Sequence, residues 1–362
     1  MHKAELELMY LAAISACSRL DSITIQELLN LFISPIDLWK ANESELRSKG
    51  VPDKIVQNLV WWKKECVPEC LWSRINELGL KVIGFKDTDY PQLLCEIPDL
   101  PIVLYVKGEL DPQDLYVAVV GNRMISQYGI RMTERITQTL VNARVVIVSG
   151  LALGVDGIAH RVAVQSKAKT VAVLANGLDQ VYPPSHSNLA KQILENGGAL
   201  VSEYSPGTLP LKHHFLERNR IIAGFSMGTL IVEAGKISGA LRTAGCALEY
   251  GRSVYAVPGD AERPQAAGVN NLIKQGAIPV TTGEDILGDL NIQTEVKERK
   301  DSVKLTDHEK LVLDALSSEP VHIDLLAREI KLEISVLSVI LIGLEMRDLA
   351  KNVGGMNYIK IE

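Results

Sequence analysis

Apolar residues follow two rhythms along the chain. Up to about residue 70 they recur at helical spacing, as in QELLNLF and DLWKANESELRSKGVPDKIVQNLVWW, with KGVP reading as a tight turn between helices. From residue 115 the pattern changes to short, near-continuous runs of Val, Ile, Leu and Ala: LYVAVV (115–120), VVIVSG (145–150), TVAVLANG (170–177), ALVSEY (199–204), TLIVEAG (229–235) and SVYAVPG (253–259). A helix-compatible stretch follows each run. Strands that are apolar on both faces belong in a parallel sheet covered by helices, so the pattern predicts a doubly wound, mostly parallel α/β sheet.

The flanks complete the plan. GLKVIGFKDTDYPQLL and LPIVLYVKG form a bridging segment that leads into the sheet, and NIQTEVKERKDSVK is polar enough to read as a linker. The tail gives three helical stretches and then a two-strand hairpin, the order of a winged helix. The expected organisation is a helical domain over 1–70, the α/β domain over 71–290, a linker over 291–304 and a winged-helix domain over 305–362. In the helical part, Trp39, Trp61 and Trp62 read as core residues before they read as stacking platforms.

Composition sharpens this picture in three ways. A chain of 362 residues with 47% hydrophobic and 23% charged residues has the length of two or three domains. The net charge of −6 argues against a surface coated with basic residues. That acidity is uneven, however: sixteen basic residues meet fifteen acidic ones over 111–290, against seven and eleven over 301–362. Cys17, Cys66, Cys70, Cys95 and Cys246 are odd in number and contain no C-x-x-C pair, which suits reduced thiols. Glu5 and Glu7 stand where a signal peptide is basic, and no apolar run reaches a membrane span, so the expected location is the cytoplasm, without membrane contact.

Candidate chemistry gathers in the loops that leave the strands. GNR (121–123), SGLALGVDGIAH (149–160), ANGLD (175–179), SEYSPG (202–207), EAGKISGA (233–240) and PGD (258–260) share a small, glycine-rich character. In a doubly wound sheet they meet at the carboxyl edge, where backbone N–H groups and helix N-termini face a ligand. No G-x-G-x-x-G follows a strand, G-x-x-x-x-G-K-[ST] is absent, and Ser149 lies in no G-x-S-x-G elbow. His160, His186, His213 and His214 stand in no pattern with a nucleophile and an orienting carboxylate, and Asp156 reads as a helix-start residue.

The same edge carries Arg123 and the run LKHHFLERNR, with Lys212, Phe215, Arg218, Asn219 and Arg220. Glu203 and Glu233 close strands nearby, in position to orient guanidiniums. Two readings stand side by side. One is a cationic track with an aromatic platform for single-stranded nucleic acid; the other is an internal Arg–Glu network with no ligand.

VAVVGNR, VVIVSGLALGVDGIAH, TVAVLANGLDQVYP, SEYSPG, FLERNRIIAGFS, VEAGKISGALRTAGCALEYGR, VYAVPGD and GVNNLIKQGA occur in this order over most of 75–290. In them the chain resembles the DNA-processing protein A (DprA) family of bacterial single-strand-binding recombination mediators. The resemblance implies an extended Rossmann core, an N-terminal sterile-alpha-motif-like or helix-hairpin-helix-like domain and a C-terminal winged helix. It implies binding of single-stranded DNA, a homodimer formed through the Rossmann domain, and help in loading the RecA recombinase during natural transformation. No catalytic residue, metal or cofactor is implied.

Carried over by motif, the implied DNA-binding residues are Gly121, Asn122, Arg123, Ser149, Gly150, Gly154, Lys212, Phe215, Arg218, Asn219, Arg220, Ser238 and Gly239. Arg123 and Lys212 are expected to meet DNA most directly, with Arg218 and Arg220 partly structural. The chain departs from the family pattern at Asn122, where a small hydroxyl is usual, at Leu153 in place of arginine, at Leu216 in place of proline and at Ala240 in place of a hydroxyl. The alternative is a nucleotide-processing enzyme of the phosphoribohydrolase-like Rossmann group, whose P-G-G-x-G-T-x-x-E loop is here EAGKISGALRTA. In the tail, EISVLSVILIGLEMRDLA is apolar and acidic where a winged helix presents a basic helix to DNA, so this domain is expected to contact protein.

Overall fold

The computed structural model describes residues 2–292 and 305–361, apart from 318, 346 and 348. The chain divides into two compact units, Met1–Thr294 and Glu295–Glu362. The expected linker lies outside the described residues from 293 onward.

The first unit opens with α1 (Lys3–Ser15), α2 (Ser22–Asn30), α3 (Pro35–Lys40), α4 (Glu43–Ser48), α5 (Asp53–Glu65) and α6 (Pro68–Glu77). Asp21, Ser34 and Asn42 cap α2, α3 and α4 by accepting from backbone amides in the first turn, so each short helix starts at a defined residue. Their apolar faces bury Leu11, Ile14, Leu28, Leu38, Leu46 and Leu59. That cluster runs without a break into Val82, Tyr105, Leu174 and Leu200 of the sheet side. The tryptophans take part in this packing: the Trp62 indole donates to the Ala13 carbonyl at 2.6 Å, and Trp39 lies 6.2 Å from Tyr10, ring to ring.

After β1 (Lys81–Gly84), α7 (Gln92–Cys95) and β2 (Val103–Gly108), strands and helices alternate. The sequence of elements is β3 (Tyr116–Val120), α8 (Gln127–Asn142), β4 (Val146–Ser149), α9 (Val155–Gln165), β5 (Thr170–Val173), α10 (Ser187–Glu195), β6 (Ala199–Ser202), α11 (Lys212–Gly224), β7 (Gly228–Ile231), α12 (Gly239–Glu249), β8 (Ser253–Ala256), α13 (Ala267–Lys274), β9 (Ile278–Pro279) and α14 (Gly283–Asp289). They form one sheet in the order β1-β2-β6-β5-β4-β3-β7-β8-β9. All pairs from β6 to β9 are parallel, while β2 joins β6, and β1 joins β2, antiparallel. All six anticipated strands are present in a mostly parallel sheet, and the bridging segment supplies the antiparallel edge.

The strands stop earlier than the apolar runs that announced them. Residues 174–178 and 232–234 stay buried beyond the last paired residues of β5 and β7, because the carboxyl edge of the sheet is itself covered. The chain winds outward from β3 through β4 and β5 to β6, then returns to the other side of β3 as β7. This reversal opens a crevice at the carboxyl ends of β3 and β7, the usual ligand position in a doubly wound sheet.

The second unit comprises α15 (Asp307–Ala315), β10 (Val321–His322), α16 (Ile323–Ile330), α17 (Ile334–Glu345), β11 (Ala350–Gly354) and β12 (Asn357–Lys360). It has the helices and hairpin of a winged helix, and β10 adds a short third strand against β12. Thr306 and Glu309 form a capping box at α15, and Val312, Leu326, Leu337, Leu341 and Leu344 belong to the unit's own core. The outer side of α17 is apolar: Ile334, Val339 and Ile342 are exposed, and ISVLSVILIGLE carries no lysine or arginine. Among the described residues, no helix is long and apolar enough to cross a membrane.

Candidate nucleic-acid interface

Three glycine-rich loops are stitched together at the crevice. The Asn122 amide donates to the Glu233 carbonyl at 2.8 Å, joining the β3 loop to the β7 loop. The Ser238 hydroxyl, at the start of α12, donates to Asn122 Oδ1 at 3.2 Å and ties the same loops again. On the other side, the Val155 amide donates to the Asn122 carbonyl at 3.3 Å, which brings in the β4 loop. Gly154 permits this approach, for its φ is +81° and a Cβ there would fall 2.2 Å from the Asn122 oxygen.

Asp156 supports the β4 loop from within. Its carboxylate accepts from the Gly150 amide at 3.0 Å and the Ala152 amide at 3.4 Å, so its part goes beyond starting α9. Ser149 is fully buried and donates to the Val119 carbonyl at 2.7 Å. Its hydroxyl holds β4 against β3.

The R-N-R triplet sits behind these loops. Arg218 is 3% exposed; it donates to the Gly150 carbonyl at 2.9 Å and to the Val173 carbonyl. A Cβ at Gly150 would lie 2.5 Å from an Arg218 guanidinium nitrogen, so glycine here leaves the guanidinium room in its buried position. Burial pulls the Arg218 pKa down to about 10 against the opposing pull of Asp156, which leaves the side chain charged at neutral pH. Asn219 donates to the Gly239 carbonyl at 3.1 Å and fixes the first turn of α12. Arg220 pairs with Glu203 and reaches Asp99 at 3.4 Å. Burial lowers its pKa, but the two carboxylates together outweigh burial and hold it above the ordinary arginine value.

Glu203 therefore orients a guanidinium as anticipated, and Glu233 has a different task. Its carboxylate accepts from the Ser126 hydroxyl at 2.6 Å and the Ser126 amide at 3.0 Å, securing the residue that caps α8. His160 and His186 are interior residues: one ring bonds Thr170 at 2.8 Å and the other the Leu151 carbonyl at 2.8 Å.

The front of the crevice is different in kind. Arg123 and Lys212 are exposed, and among the described residues neither is in an ion pair. The Arg123 guanidinium lies 5.4 Å from the centre of the half-buried Phe215 ring. The Tyr182 ring lies 5.5 Å from Phe215 on the β5 side, which makes a short ladder of cation, ring and ring. Tyr182 has no mark as a site residue in the hydrophobic pattern; it stands 33 positions from Phe215 and only folding joins them. Gly121 lies in the loop after β3, and Gly239 is the first residue of α12, which follows the β7 loop.

The family model for DNA recombination-mediator protein A matches residues 81–291, and that for the DprA winged helix domain matches 297–356. Protein Smf of Escherichia coli is 48% identical over 259 residues, which covers 70% of this chain and 69% of that protein. Protein Smf of Synechocystis is 31% identical over 395 residues, with 98% and 99% covered. The crystal structure of DNA processing protein A from Streptococcus pneumoniae superposes with a TM-score of 0.69 at 34% identity, covering 78% of this chain and 97% of that one. DNA processing protein A from Helicobacter pylori, whose structure was described for its single-stranded DNA binding mode, gives 0.53 at 28% identity over 59% and 97%. With both its sheet and its winged helix matched, the chain belongs to the DNA recombination-mediator protein A (DprA/Smf) family.

Proposed function

We propose that this protein binds single-stranded DNA at the β3/β7 crevice and, as a homodimer joined through the Rossmann unit, helps load RecA onto incoming DNA in natural transformation and recombination. The observation that carries the reading is the ladder of Arg123, Phe215 and Tyr182 beside exposed Lys212. It offers cations to phosphates and ring faces to a base, the combination that single strands require. Tight loops with small residues let a phosphate backbone come close, and the structure of the Helicobacter pylori relative, described for single-stranded DNA binding, supports the same ligand class.

The nucleotide-processing alternative needs a carboxylate directed at substrate from the β7 loop. Glu233 is engaged with Ser126 in the capping of α8, which favours binding over turnover. The apolar outer side of α17 supports a protein-contacting role for the winged helix. The test is fluorescence anisotropy of the full chain with single-stranded and duplex oligonucleotides over a range of salt. Single strands should bind more tightly, and Arg123→Ala and Lys212→Ala should each weaken them and flatten the salt dependence. Wild-type affinity and slope in both variants would sink this assignment of the site.

A further inference from the structure

Beside the crevice, on the first turns of α11, His213, His214 and Glu217 converge, with one donor atom from each within 4.8 Å of the others. Two of the three are already oriented from behind. His214 Nδ1 donates to the Leu209 carbonyl at 3.0 Å, which leaves Nε2 as its ligating nitrogen, and its ring stacks on Tyr204 with centroids 4.2 Å apart. The Tyr204 hydroxyl in turn donates to a Glu217 carboxylate oxygen at 2.9 Å. A carbonyl behind an imidazole and a hydroxyl behind a carboxylate are the outer contacts that aim metal ligands. All three residues line a cavity of about 790 Å³ whose wall also includes Asp99 and Glu203.

We infer that His213, His214 and Glu217 bind one divalent transition ion of the Zn²⁺, Co²⁺ and Ni²⁺ class, leaving further coordination positions open to the cavity. Two imidazoles with one carboxylate suit these ions, whereas Mg²⁺ and Ca²⁺ take oxygen ligands. Coordination requires the 4.8 Å spacing to close, and the His213 side chain, exposed and in edge contact with His214, is the member of the cluster with room to move. Lys212 and the amino end of α11 oppose a cation while the Glu217 charge favours it, so the affinity is moderate. The sequence pattern alone gave these histidines no role: Glu217 follows on the same helix, but the Leu209 and Tyr204 contacts that aim the ligands are seen only in the fold.

The test is a Co²⁺ titration of the full-length, thiol-reduced protein followed by visible absorption. One equivalent should bind with ligand-field bands and without thiolate-to-cobalt charge transfer, and excess Mg²⁺ should not displace it. His213→Ala, His214→Ala and Glu217→Gln should each weaken Co²⁺ binding about tenfold or more. His213 is exposed, so its variant keeps the test sound if His214→Ala fails to fold. Tyr204→Phe keeps the ring stack and should weaken Co²⁺ binding without shifting the metal-free melting temperature. Undiminished affinity in the histidine variants, a strong charge-transfer band from cysteine ligation, or no binding by the wild type would each overturn the proposal.

Discussion

Behind the crevice, Arg218 is 3% exposed and its guanidinium is shared between the Gly150 and Val173 carbonyls; in front of it, Arg123 stands in solvent against the Phe215 ring. The two side chains are chemically identical, and burial gives them different work. A buried charge has to be bonded at once, so Arg218 acts as an internal brace for the β4 and β5 ends. An exposed one keeps its charge available for long-range attraction. Positive charge near the proposed DNA site is therefore a poor guide to DNA contact until burial is known.

The sharpest way to break this contrast is Arg218→Ala. It leaves Asp156 without its nearby counter-charge and two carbonyls without their donor, and should cost about 3–5 kcal/mol in chemical denaturation. Loss below 1 kcal/mol would show that the brace is dispensable. Phe215→Ala should instead leave the fold intact and weaken single-stranded DNA by about 1–3 kcal/mol with little change in salt slope, as stacking is not ionic.

A third test probes the interior through pH. Burial, with smaller contributions from His186 and nearby arginines, lowers the His160 pKa to about 3 from the ordinary 6.5. Between those values the unfolded chain holds a proton that the folded chain does not. Stability is therefore full above about pH 6.5 and declines as pH falls, by about 1.4 kcal/mol for each unit well inside the window. His160→Gln should flatten that part of the curve in denaturation measured from pH 7 to 4. Smallest in stability terms are Arg123→Ala and Lys212→Ala, each within about 0.5 kcal/mol of wild type. Each should nonetheless lower the slope of log affinity against log salt by about 0.7, read by anisotropy.

Much of this contrast was legible before folding, and its key part was not. Strands buried on both faces announce themselves as unbroken apolar runs, so the sheet and its six main strands can be read directly. Their ends cannot, because residues 174–178 and 232–234 are as buried as the strands they follow. The loop motifs and family resemblance locate the crevice and lead one to expect Arg218 and Arg220 to be partly structural, but the partners that hold the triplet, the Gly150 and Val173 carbonyls for Arg218, the Gly239 carbonyl for Asn219 and Glu203 for Arg220, are seen only in the fold. Tyr182 and Asp99 enter through contacts 33 and 121 positions away along the chain, to Phe215 and Arg220, and no local pattern encodes such partners.

The bonds at Asn122 have one more bearing. Its amide, carbonyl and side chain are each engaged with a neighbouring loop before any ligand arrives. In the proposed binding mode, a strand entering the crevice meets loops whose conformational entropy has already been lost in folding. Calorimetry of DNA binding should give a heat-capacity change accounted for by the contact surface alone, without the larger signature of a segment that folds as it binds.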